Sequence, residues 1–100
     1  MIIFTRTGDI APGKIGDMMA FAPEIAALFT KITGVKLTMM TPIGGNPNQM
    51  VWQATYDNLG AMEAAMEKVL SNPEYTAKVA SAADLFMPGS IRDAMWKTLG

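Results

Sequence analysis

The chain has 100 residues, half of them hydrophobic, a net charge of −1, and neither histidine nor cysteine. That composition gives no basic surface for a phosphate backbone, no disulfide, and no Cys, Ser-His-Asp, zinc-His or haem-His chemistry. Charged residues make up only 17%, against the usual ~25% of soluble domains, which predicts apolar surface that association covers.

Met1–Arg6 reads as a short first strand, with Thr7-Gly8-Asp9 as the turn that ends it. Pro12-Gly13 introduces a helix on which Ile15, Met18, Ala22, Ile25, Phe29 and Ile32 recur at steps of three and four, with Phe21 and Leu28 widening the stripe. Pro23 predicts a kink in it, and Gly34 is its expected stop. Val35–Ile43 and Met50–Tyr56 then alternate as a hairpin joined through Gly44-Gly45-Asn46-Pro47-Asn48. Asn58 caps a helix carrying Leu59, Met62, Met66 and Val69. Asn72-Pro73-Glu74 starts another, so the second helical region divides in two, with Tyr75, Val79 and Ala82 on its buried side. The last segment fits two descriptions. Ser90-Ile91-Arg92-Asp93 resembles a helix cap, whereas Ile91, Met95 and Leu99 alternate against Arg92, Ala94 and Trp96 as in a strand. The strand is preferred, because Pro88-Gly89 breaks any helix and the sheet needs a fourth member.

This order, β-α-β-β-α-β, predicts an α+β ferredoxin-like sandwich: one domain over residues 1–100, a four-stranded antiparallel sheet and helices on one face only. Strand alternation assigns the two sheet faces. With Leu37, Met39, Trp52 and Tyr56 toward the helices, Lys36, Thr38, Met40, Val51, Gln53 and Thr55 face away, joined by Thr5. That second face, too polar for a core and rather apolar for open water, is the candidate homodimer interface. On the helix side, Arg6, Trp52, Tyr56, Arg92 and Trp96 are the candidate ligand pocket. A guanidinium there can hold a carboxylate or an enolate. Pairing of an arginine with Asp57, Asp84 or Asp93 is the structural alternative.

Other features carry less. Gly44-Gly45 lies between strands with no helix N-terminus after it, so a hairpin turn explains it better than a phosphate loop. Glu63, Glu67 and Lys68 look like a solvated helix face, and neither they nor Asp9 and Asp17 make an acid pair or a metal site. Of the ten methionines, Met18, Met39, Met50, Met62 and Met66 fall on core faces, and Met19 and Met40 do not. No apolar run approaches the roughly 18 residues of a membrane span and Met1–Phe4 is too short for a signal core, so a cytoplasmic protein is expected.

With these residues in hand, the chain resembles the dimeric α/β-barrel superfamily, in its NIPSNAP-like and antibiotic-biosynthesis-monooxygenase-like branches. The matching stretches are Pro12-Gly13-Lys14, Tyr56-Asp57-Asn58-Leu59, Asn72-Pro73-Glu74-Tyr75 and Leu85-Phe86-Met87-Pro88-Gly89-Ser90. The resemblance implies a homodimer whose two sheets meet face to face. Its monooxygenase branch oxidises aromatic polyketides without metal or flavin, in pockets with Trp, Tyr, Asn and Arg side chains.

The expected function is therefore a small homodimer that binds an apolar or aromatic small molecule, or only itself, with no cofactor and no nucleic-acid or membrane partner. The alternative is a cofactor-independent monooxygenase or isomerase on an aromatic or enolisable substrate, with Arg92 or Arg6 holding the enolate. A third is an interaction module using Met19, Met40 and the loop Asn46–Gln49.

Overall fold

The computed structural model describes residues 1–100. Strand β1 (Ile2–Asp9) leads to helix α1 (Ile15–Thr33), the strands β2 (Thr38–Met40) and β3 (Gln49–Tyr56), helices α2 (Leu59–Leu70) and α3 (Pro73–Ser81), and strand β4 (Arg92–Lys97). The sheet is fully antiparallel with order β2-β3-β1-β4. Its shortest extent, 21 Å, is that of one sheet layer and one helix layer, each about 10 Å thick. One side of the sheet is therefore bare.

Local signals set the helix ends. Asn58 Oδ1 accepts the Ala61 N–H at 2.8 Å and Asn72 Oδ1 accepts the Tyr75 N–H at 3.0 Å, caps that each contribute about 1 kcal/mol. Pro73 follows at the first position of α3, where its missing N–H costs nothing. Gly34 closes α1 with φ 75° and bonds back to the Thr30 carbonyl, a left-handed geometry that glycine adopts freely. α1 runs unbroken through Pro23, whose missing N–H leaves the carbonyl of solvent-exposed Met19 to water.

The core forms two clusters between the layers. One gathers Ile10, Met18, Ala22, Met50, Trp52 and Leu85; the other is Phe4, Ala54, Tyr56 and Ala65. Met18 and Met50 are wholly buried, while Met39, Met62 and Met66 pack half-buried against the clusters.

Two sequence expectations need correction. Thr7-Gly8-Asp9 is not a turn: β1 continues through Asp9, and Ile10 still bridges Phe86. Gly8 is small for packing, since a Cβ there would lie 2.7 Å from Phe86 Cδ1. The strand expected over Val35–Ile43 is only three residues long. The Val35 N–H turns back to Thr33 Oγ1 instead of joining the ladder, and Pro42 has no N–H to offer.

Candidate functional site

Helix α3 buries none of its residues; its Asn72 cap fixes its first turn, and the ion pair from Lys78 Nζ to Glu24 Oε2 at 2.6 Å ties it to α1. What it covers instead is a cavity of about 350 Å³. Phe4, Trp52 and Tyr56 on the sheet form its floor, Ile25 and Phe29 on α1 one wall, and Tyr75 and Val79 on α3 the other. Phe86 and Ile91, from the segment before β4, also line it. Sixteen of the 17 lining residues are hydrophobic, the exception being Arg6. The aromatic rings brace one another: Trp52 and Phe86 lie 5.2 Å apart between centroids, Phe29 and Tyr75 6.4 Å, both tilted, an arrangement aromatic quadrupoles favour.

Three polar groups belong to this space. Arg6 stands directly opposite Asp93 across β1 and β4. Its Nε donates to Asp93 Oδ1 at 2.7 Å and its Nη2 to Oδ2 at 2.9 Å. This bidentate pair sits at the rim, with the side chains 45% and 44% exposed. The hydrogen bond from Arg6 holds the Asp93 carboxyl below the usual carboxylate range, and the same bond raises the Arg6 guanidinium. Deeper in, the Tyr56 residue is 3% exposed, and its hydroxyl is buried without a hydrogen-bond partner. Burial, and secondarily the neighbouring Tyr75, push that phenol up; burial likewise pushes up Tyr75, opposed by the Arg6 charge. Both tyrosines therefore remain proton donors at neutral pH.

Of the candidate pocket residues, Arg6, Trp52 and Tyr56 line this cavity and Arg92 and Trp96 do not. Placing the latter two on the helix side was an error of parity. Asp93, Met95 and Lys97 pair with Arg6, Phe4 and Ile2 and share their face, which sends Arg92, Ala94 and Trp96 to the bare one opposite Thr7, Thr5 and Ile3. Arg92 consequently cannot reach an enolate in the cavity, and Arg6 is already engaged by Asp93. Sequence reasoning also missed Phe29, Phe86 and Ile91. Phe29 falls on the core stripe of α1, Phe86 lies in the irregular segment before β4 where no periodicity exposes it, and Ile91 falls in the strand alternation but is assigned no face by it. The sequence places Tyr75 on a buried side, as core rather than as cavity wall.

The register puts Thr5, Thr38, Met40, Val51, Gln53 and Thr55 on the bare face; Lys36 precedes β2 and is exposed. Met19 is exposed on the helix layer and Met40 on the opposite face, so the two do not share one surface with the Asn46–Gln49 loop. A second hollow of about 330 Å³ lies along α2 from Ala61 to Lys68, where Thr33, Thr55, Asp57 and Lys68 make it markedly more polar. No group of three or more His, Cys, Asp or Glu side chains is placed to hold a metal ion, and no helix is long and apolar enough to cross a membrane.

The architecture is that of the ferredoxin-like NIPSNAP and antibiotic biosynthesis monooxygenase-like proteins. A NIPSNAP domain protein from Burkholderia xenovorans superposes with a TM-score of 0.84 at 18% identity, covering 99% of this chain and 95% of its own. A NIPSNAP family protein from Agrobacterium tumefaciens gives 0.84 at 16% identity, covering 98% and 92%. An antibiotic biosynthesis monooxygenase-like protein from Deinococcus radiodurans gives 0.74 at 17% identity, covering 100% and 94%. At these identities the likeness is one of fold. No family model matches the sequence, and no curated protein matches it.

Proposed function

We propose that this protein binds a small apolar or aromatic molecule between its helices and sheet, and that it works as a homodimer closed through the bare sheet face. The observation that carries the binding reading is the 350 Å³ cavity with a wall apolar but for one rim arginine. Its size lies within the range of small-molecule sites, which are mostly apolar with few polar groups. The dimer reading is supported by β4, an edge strand with no buried residue. Trp96, on the bare face, is 61% exposed, apolar surface that an isolated edge strand does not normally show to water. A cofactor-independent oxygenase or isomerase draws less support, because Arg92 lies across the sheet and the cavity wall carries no carboxylate to act as a base.

Native mass spectrometry of the protein as purified tests both parts. A dimer carrying a reproducible small-molecule mass is the expected result. A monomer at micromolar concentration would overturn the dimer, and failure to take up any apolar probe would overturn the pocket.

A further inference from the structure

The walls of the cavity are not equally fixed. Its floor is the paired sheet, and α1 is seated by Met18, Ala22, Ile25, Leu28 and Phe29, all buried. α3 has no buried residue and belongs to neither core cluster. The hydrogen bonds of its main chain, its hydroxyls and its cap all stay between Asn72 and Ala82. The one hydrogen bond that leaves the helix is the ion pair from Lys78 Nζ to Glu24 Oε2 on α1.

The chain on either side of α3 is anchored. Val69, at the end of α2, is buried, and Ala82 and Leu85 belong to the larger core cluster. The Leu85 carbonyl also accepts the Ala11 N–H at 2.8 Å. Between these anchors and α3 the helical backbone breaks twice, at Asn72 (φ −93°, ψ 113°) and at Ala82 (φ −105°, ψ 9°). A few element-terminal residues of this kind are enough to act as a hinge. The helix also carries its own start, since Asn72 Oδ1 accepts the Tyr75 N–H and Pro73 has no N–H to satisfy. Tyr75, Val79 and Ala80 are its share of the cavity wall. Swinging them outward opens the apolar lining without unpacking either cluster.

We propose that α3 is the gate of the cavity, turning outward as a rigid helix between hinges at Asn72 and Ala82, and that the Lys78–Glu24 pair is the latch that holds it shut. This rests on the small-molecule reading above. The latch is made in the closed protein whether the cavity is empty or filled, so it sets the rates of entry and exit and leaves the affinity alone.

Stopped-flow fluorescence with N-phenyl-1-naphthylamine, a neutral apolar probe, reads both rates. Glu24→Gln and Lys78→Gln should each raise the association and dissociation rates by the same factor, about two- to fivefold, the weight of an exposed ion pair expressed as a rate, with Kd unchanged. The charge-swapped Glu24→Lys/Lys78→Glu should bring both rates back toward wild type. The chain has no cysteine, so Glu24→Cys/Lys78→Cys can be bridged at this one place by a two-carbon bis-methanethiosulfonate. Bridged when empty, the protein should exclude the probe; bridged after loading, it should retain it; dithiothreitol should restore exchange in both. Uptake by the bridged protein at the unbridged rate overturns the gate and places entry past Arg6 at the rim. A change confined to the dissociation rate, and so to Kd, overturns the latch. A wild-type protein that takes up no probe removes the small-molecule reading itself.

Discussion

Tyr56 and the Arg6–Asp93 pair each predict a different stability effect. Removing the unpartnered hydroxyl in Tyr56→Phe takes away a desolvation cost, so without ligand the variant should unfold at an equal or higher urea midpoint, by up to about 1–3 kcal/mol of stability. A lower midpoint would mean that the hydroxyl is satisfied after all. For Asp93, the folded-state value lies below the unfolded one. Its contribution is therefore present above about pH 4 and is lost as pH falls through the depressed value. Asp93→Asn should lower the urea midpoint modestly at pH 7 and progressively less as the pH falls below about 4, the pair being half exposed and partly screened. The same residues show how far a sequence can be read at this scale. Trp52 and Tyr56 sit in a strand whose alternation is clean, and their face follows from counting; Arg6 follows an apolar run, Ile2-Ile3-Phe4, that has no alternation to count. Arg92 and Trp96 sit in a strand with apolar residues on both parities, because neither of its faces is covered, and there counting gives no side.

Among the elements, α3 is the exception. Every other helix of two or more turns buries apolar residues, whereas α3 is tied by an ion pair and side chains that look into a cavity. Segments with few buried contacts open at low free energy. Amide hydrogen exchange should show α3 exchanging faster than α1 or α2, and a bound probe should slow α3 preferentially by filling the space beneath Tyr75 and Val79. Equal protection of α1 and α3 without ligand would contradict this. The break that separates α2 from α3 was legible because Asn-Pro-Glu chemistry is local. The hollow under α3 was not: Tyr75 and Val79 occupy apolar positions whether they meet side chains or space, and composition does not distinguish the two.

For the whole molecule, two apolar layers of one sheet and one set of helices were readable from element order alone, since strand and helix periods differ and the hairpin and caps mark the boundaries. What closes the bare face is a property of the assembly. If two copies meet there, Trp96→Glu combined with Val51→Glu should turn the sedimenting species from dimer to monomer while leaving the far-ultraviolet circular dichroism unchanged. A dimer that survives both charges would place the contact elsewhere.

The close approach of Gly8 to Phe86 reaches further than the packing of one strand. Phe86 leans on Trp52 and forms part of the cavity wall, so its ring position depends on the absence of a methyl group one layer behind it. Any side chain at position 8 must move that ring, and the room left for a guest changes with it. Gly8 is not among the residues that face the cavity. The range of molecules this protein accepts is thus open to selection at a codon whose residue never meets them.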